Sequence, residues 1–360
     1  MSFQENQYNI QRYDFSNDRS LRAFSAADEL LLSSFNEIET ANKNLGLYND
    51  RFGFLSCHLS AHSPQAVITH KSQEKAIALN LENNSLDSLS YSDPLSTLDV
   101  KLDMVLIKIP KSLDLFHLFL GQIAQNSTDE VMVICGFMTR HFTPKMIQIA
   151  EQYFEVVTQS RALKKARVLT LKNKKQTEGI SFVKDLNYDD ETYQQYYGVF
   201  SGEHIDYATQ FFLKHIEIKN AQQHVLDLGS GNGILAKEIV KQQVDAEMHL
   251  MDDAFLAVES AKLNIKGEKI HHYYDNDLRV FYDEMFDAIV TNPPFHFEHE
   301  INIQVTLELF KECFRCLKEN GNLQIVANHH LNYKTHLSSL FSSVKVVAED
   351  KKFVVYKCEK

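Results

Sequence analysis

The sequence predicts an α/β fold of two tandem Rossmann-like domains, and three observations carry that expectation. Strand-length apolar runs alternate with helix-length segments over residues 226–360, the pattern of a parallel, doubly wound sheet. A glycine-rich turn, Asp227-Leu-Gly229-Ser-Gly231-Asn-Gly233, lies between one such strand and the helix after it. The 360 residues exceed the usual size of one domain, and the first half has α/β character of its own.

In the first half, Ala26–Phe35 reads as a helix. Met104–Ile109 and Val131–Cys135 are β-branched-rich apolar runs of strand length, and Lys75–Leu79 reads as a further strand. No glycine-rich turn follows any of them; Asp50-Arg-Phe-Gly53 and Cys135-Gly136 offer one glycine each. Residues 1–180 are therefore expected to be a Rossmann-like domain without a cofactor turn. The polar stretch Leu171–Asp190 has no strong periodicity and is expected to hold the linker, leaving 181–360 as the second domain.

In that second domain, strand His224–Leu228 leads through the glycine turn to helix Ile234–Gln242. Strand Ala246–Met251 precedes a helix from Ala254 to Asn264, and strand Phe286–Thr291 ends at Asn292-Pro293-Pro294-Phe295. A helix from Asn302 to Lys318 and strand Asn322–Ala327 follow. Val344–Ala348 and Phe353–Lys357 alternate around the polar Glu349-Asp-Lys-Lys352, a hairpin signal. A seven-stranded, mostly parallel sheet ending in an antiparallel hairpin is class I methyltransferase-like; dehydrogenase sheets generally lack the hairpin.

Composition is that of an ordinary globular chain, 44% hydrophobic and 24% charged. No apolar run is long enough to span a bilayer, and the N-terminus lacks a signal-peptide layout. Five cysteines without framework spacing suggest a reducing, cytoplasmic setting. A net charge of −11 is awkward for a nucleic-acid binder, so any contact with RNA needs a local basic patch. From Ser160 to Lys175 the chain supplies one: Arg161, Lys164, Lys165, Arg167, Lys172, Lys174 and Lys175, without an acid. Arg161, Lys164, Lys165 and Arg167 are the expected phosphate contacts.

The glycine turn lets backbone approach a ligand where a Cβ would collide. Its G-x-G-x-G spacing at Gly229, Gly231 and Gly233 differs from the dinucleotide fingerprint and suits a cofactor lacking pyrophosphate. Asp227 would meet the cationic tail of S-adenosylmethionine. Asp252, with Asp253 as competitor, would accept from the ribose, and Asp275 or Asn276 would meet the adenine. Asp253 could instead cap the next helix.

Asn292 and Pro293 supply two carbonyl acceptors for the hydrogens of a planar amine, and Phe295 supplies a ring to stack on it. The order of the two motifs points to S-adenosylmethionine-dependent N-methylation. Adenine N6, cytosine N4, guanine N2 and glutamine amides all satisfy that chemistry. A nicotinamide dehydrogenase is opposed by the glycine spacing and the hairpin, and a vestigial RNA-binding module by the intact Asp227, Asn292 and Phe295. His296, His299, His329 and His330 fit no closed zinc spacing, so no metal is expected. Cys313 and Cys316 read as two small residues on one helix face.

Several stretches narrow the substrate by resemblance. Asn292-Pro-Pro-Phe-His296, Ile325–Leu331 and Lys352-Phe-Val-Val-Tyr356 resemble the bacterial ribosomal RNA guanine-N2 methyltransferases. So do Asn49-Asp-Arg-Phe-Gly53, Leu163-Lys-Lys-Ala-Arg167 and Phe200-Ser201 leading to Asp206, so the likeness covers most of the chain. One departure is visible: residues 202–208 carry less glycine than that family usually has over the cofactor. The resemblance implies two fused methyltransferase-like domains with only the C-terminal one catalytic. It favours the large-subunit (23S) branch over the small-subunit (16S) branch.

Overall fold

The computed structural model describes residues 7–13, 21–38, 43–177, 179–219, 223–243, 245–293 and 303–360. The chain divides into two compact units, Met1–Phe182 and Val183–Lys360.

The first unit has strands β1 (Leu45–Tyr48), β2 (Gln65–Val67), β3 (Ser90–Ser92), β4 (Leu102–Lys108), β5 (Ser127–Met138), β6 (Phe154–Gln159) and β7 (Ala166–Lys174). Helix α1 (Ala26–Asn36) precedes them, and α2 (Phe54–His58), α3 (Lys71–Asn83), α4 (Leu113–Asn126) and α5 (Pro144–Tyr153) lie between them in sequence. The strands form one sheet in the order β3-β2-β1-β4-β5-β7-β6, antiparallel only where β7 meets its neighbours. α1 begins with a capping box, Ser25 accepting from the backbone while Asp28 reaches back to the Ser25 N–H.

One expectation fails here, and a second needs its ends redrawn. Lys75–Leu79 is the interior of α3, not a strand: Gln73, Ala76, Ile77, Asn80 and Leu81 bury one helical face, with a period of 3.6 rather than 2. The expected linker Leu171–Asp190 is ordered at both ends. Leu171 is a buried member of β7, and the second unit opens at Val183 with a strand.

The second unit starts with the hairpin β8 (Val183–Tyr188) and β9 (Glu191–Tyr196), then α6 (Tyr207–Leu213). β10 (His224–Leu228), α7 (Ile234–Gln242), β11 (Glu247–Asp252), α8 (Phe255–Asn264), β12 (Ile270–Tyr274) and β13 (Phe286–Thr291) follow. α9 (Ile303–Cys316), β14 (Leu317–Asn328), α10 (Tyr333–Leu337), β15 (Ser343–Glu349) and β16 (Phe353–Glu359) complete it. Seven strands pair in the order β12-β11-β10-β13-β14-β16-β15, and the terminal hairpin supplies the antiparallel pairings. Apolar side chains cover both faces of the sheet, as a parallel sheet requires. Cys313 and Cys316 lie buried in one of these cores as free thiols. Among the described residues no helix is long and apolar enough to cross a membrane.

Candidate active site

The chain runs from β10 outward to β12, then returns to the other side of β10 as β13. Such a switch point opens a crevice at the carboxyl ends of the two inner strands. The glycine turn leaves β10 there and Asn292 leaves β13, so the two sequence motifs become neighbours. A Cβ built on Gly229 would stand 3.9 Å from the Asn292 carbonyl oxygen.

Gly231 and Gly233 have positive φ angles of +55° and +80°, a region L side chains rarely adopt. Among the described residues nothing lies within 4 Å of a Cβ added at Gly231, so this side of the turn is open among them. Gly233 is different. Its Cβ position is 3.2 Å from the Ala261 Cα, so this glycine lets α7 start against α8. The turn is tied down by Gly229 and Ser230 N–H groups donating to the Met251 carbonyl at 2.8 and 3.1 Å. Asn232 donates to the buried Gln195 of β9 at 3.1 Å.

Asp227 is fully buried. One carboxylate oxygen accepts from the Ala236 N–H at 3.2 Å, while Oδ1 has no donor among the described residues. Burial, reinforced by the nearby Asp252 charge, pushes its pKa up to about 7. A buried carboxylate oxygen lacking a donor beside an open glycine turn fits the cationic end of a bound ligand.

Asp252 ends β11 and stitches turn to helix: Oδ2 accepts from Gly231 N–H at 2.9 Å and Oδ1 from Ala254 N–H at 2.8 Å. Asp253 does not cap the next helix; α8 has Ala254 at its N-cap with no side-chain cap bond. Asp275 follows β12 and donates its N–H to the Asp252 carbonyl at 3.2 Å. Its Oδ1 accepts from the N–H groups of Asn276, at 2.7 Å, and Asp277, at 3.2 Å. Asp227, Asp252, Asp275 and Asn276 thus gather at the carboxyl ends of three adjacent strands.

The Asn292 side chain is fixed by two residues that the sequence did not assign to the site. Its amide nitrogen donates to Asp206 Oδ2 at 3.0 Å and to Thr209 Oγ1 at 2.9 Å. Both partners accept, which sets the amide nitrogen toward α6 and leaves the amide oxygen without a donor among the described residues. Asp206 is also the N-cap of α6, accepting from the Thr209 N–H. Thr291 anchors the preceding residue through Leu228 at 2.7 Å. The Asp-x-x-Thr cap at 206–209 was the available sequence signal. Pro293 is buried beside Asn292. Phe295 lies outside the described residues.

The basic run splits into two ends of β7. At one end, Ala166 and Leu163 exchange backbone hydrogen bonds of 2.8 and 2.9 Å around Lys164 and Lys165, whose φ angles are +46° and +61°. Such a two-residue turn normally takes Asn or Gly, so two exposed lysines there are strained. Arg161 is exposed beside them and Arg167 is half-buried. At the other end Lys174 donates to the Ser127 carbonyl at 2.9 Å and Lys175 to the Glu151 carbonyl at 2.6 Å. Those two lysines serve the fold.

The fold of the second unit, its switch-point glycine turn and the Asn-Pro-Pro end of β13 define a class I methyltransferase. The RLMG N-terminal domain model matches residues 1–175 and the methyltransferase small domain model matches 191–357. Ribosomal RNA large subunit methyltransferase G of Pseudoalteromonas translucida (strain TAC 125) is 30% identical over 355 residues, 95% of this chain and 93% of that protein. The chain belongs to the ribosomal RNA large subunit methyltransferase G family. Its fold matches that of a T. thermophilus 16S rRNA N2 G1207 methyltransferase in complex with AdoMet and guanosine. That match has TM-score 0.76 and 19% identity, covering 95% of this chain and 93% of the other.

Proposed function

We propose that this chain methylates the exocyclic N2 of a guanine in 23S ribosomal RNA, using S-adenosylmethionine. The observation that carries the chemistry is the held Asn292 amide: Asp206 and Thr209 take its nitrogen, so its oxygen can accept from a substrate amine. The large-subunit choice rests on the family to which the chain belongs. A ribosomal RNA substrate would be met in the cytoplasm.

S-adenosylmethionine supplies an electrophilic methyl on a sulfonium. Asp227, Gly229, Gly231 and Gly233 would hold its amino-acid end, Asp252 its ribose, and Asp275 or Asn276 its adenine. The guanine amine is conjugated with its ring and is a weak nucleophile. Asn292 Oδ1 and the Pro293 carbonyl would each accept one N–H, favouring a pyramidal nitrogen. Phe295 would stack on the base, a contact worth about 1–3 kcal/mol. No general base is needed before transfer, since the proton can leave afterwards. Arg161, Lys164, Lys165 and Arg167 of the first unit would contact phosphates.

Transfer of labelled methyl to protein-free large- and small-subunit RNA, followed by nucleoside digestion, tests the assignment. N2-methylguanosine from large-subunit RNA alone is expected. Label in small-subunit RNA, or another methylated nucleoside, overturns it.

A further inference from the structure

At the opposite ends of the catalytic sheet, three adjacent strands place a histidine–carboxylate cluster that methyl transfer does not use. In register, His224 of β10 lies beside Glu247 of β11, and His249 of β11 beside His271 of β12. Alternation along the strands puts all four side chains on one face. His224 Nδ1 is 3.6 Å from Glu247 Oε2, and His249 Nε2 is 3.6 Å from Glu247 Oε1. Ligand atoms of His224, Glu247 and His249 all lie within 4.8 Å of one another.

Those separations are too long for hydrogen bonds, and among the described residues neither of these buried ring nitrogens has a hydrogen-bond partner. The His249 side chain is only 3% exposed, and its other nitrogen, Nδ1, meets the Tyr273 hydroxyl at 3.0 Å. Either tautomer of that ring leaves Nε2 facing a carboxylate across a gap no hydrogen bond closes. A tetrahedral zinc site with arms of about 2.0–2.2 Å spaces its ligand atoms about 3.3–3.6 Å apart, and each histidine stands at the upper end of that range from one oxygen of Glu247.

The geometry points to a site for a divalent transition cation of the zinc class, ligated by His224, Glu247 and His249. Imidazole and carboxylate together suit such borderline cations. The supporting shell is present: Tyr273 orients His249, and His271 Nε2 bonds Glu247 Oε1 at 2.9 Å. The His224 and Glu247 side chains are 36% and 34% exposed, which gives the ion an entry path. The cluster begins β10 and β11, whereas the cofactor residues Asp227 and Asp252 stand at their far ends. The ion would therefore staple β10 to β11 at the strand starts, not act on substrate. The expectation of no metal concerned other histidines: His296 and His299 lie outside the described residues, and His329 bonds the Asp350 carbonyl.

The test uses the full chain without a histidine tag, stripped by chelator dialysis and titrated with Co2+ under visible spectroscopy, then with Zn2+ in competition. One equivalent bound per chain is expected, with tetrahedral Co2+ bands displaced by Zn2+ and a raised melting temperature. His224→Asn and Glu247→Gln should each weaken binding by at least about 100-fold, and His271→Asn by about 10–100-fold. His249→Gln should behave like the first two; if it does not fold, His224→Asn at the strand edge decides alone. No stoichiometric binding, or unchanged affinity in His224→Asn and Glu247→Gln, overturns the site and leaves surface histidines as the ligands.

Discussion

The two units share a strand order, and their registers allow position-by-position comparison. Tyr48 pairs with Val67 and Ile107 just as Leu228 pairs with Met251 and Thr291. Counting outward, Leu47 stands where the second unit has Asp227, Ile68 where it has Asp252, and Arg51 where it has Gly231. Both carboxylates that would meet the cofactor are apolar in the first unit, and its open glycine carries a long side chain. Asn292 corresponds to Lys108, whose ammonium is locked to the buried Asp28 at 2.8 Å. Asp28 sits three residues past the α1 N-cap Ser25, as Thr209 sits three past Asp206. One position is the same in both. Gly53, with φ +82°, lets α2 start against Ile77, whose Cα would lie 3.2 Å from an added Cβ, as Gly233 does for α7 against α8. The packing glycine persists in both units, and the residues proposed for chemistry stand in one.

The largest expected effect breaks that asymmetry at the turn. Gly231→Arg, which copies Arg51, should abolish calorimetric binding of S-adenosylmethionine, whereas Arg51→Gly should create none. Residual affinity in Gly231→Arg would mean that the open turn does not face the cofactor.

Next is the amide. Asn292→Ala should lower single-turnover methyl transfer by about 100- to 1,000-fold, the range for removing one preorganised polar group. Cofactor affinity should stay unchanged. Asp206→Asn should fall between wild type and Asn292→Ala, since it disturbs only the amide's orientation. Lys108→Met should leave transfer intact.

The shared glycine predicts equal costs. Gly53→Ala and Gly233→Ala should each destabilise their own unit by about 1–3 kcal/mol, from positive φ and a backbone contact too close for Cβ. Thermal unfolding followed unit by unit measures this; a cost at only one position would separate their roles.

The smallest effect is on pH. Burial raises the Asp227 pKa to about 7, far above its unfolded value near 4. Between those values the folded state holds the extra proton, so this group makes stability fall as pH rises from about 4 to about 7. Cofactor affinity should instead rise with pH through about 7, as the carboxylate becomes charged, and Asp227→Asn should flatten both profiles.

Much of the catalytic unit was legible because its signals are local. Strand His224–Leu228, helix Ile234–Gln242 and strand Phe286–Thr291 have the bounds read from apolar pattern and glycine placement. The failures have long-range causes. In Lys75–Leu79 a short apolar run could not reveal which period its burial follows. The β8–β9 hairpin was hidden because few of its side chains are buried, among them Leu186, Tyr193 and Gln195, beneath an otherwise polar surface. The Asp206–Asn292 bond joins residues 86 positions apart, and only the folded sheet brings them together. The His224–Glu247–His249 cluster likewise needs strand register.

The division of labour between the units is the central claim, and steady-state methyl transfer to large-subunit RNA tests it most directly. Wild type, Asn292→Ala and a variant with Lys164, Lys165 and Arg167 each changed to Glu are compared over RNA and salt concentration. Asn292→Ala should lose kcat while keeping RNA affinity. The charge-reversed variant should keep kcat at saturating RNA, raise KM, and lose salt dependence by about one unit of slope per phosphate contact removed. A fall in kcat with unchanged KM in the charge-reversed variant, or normal turnover by Asn292→Ala, would contradict the account.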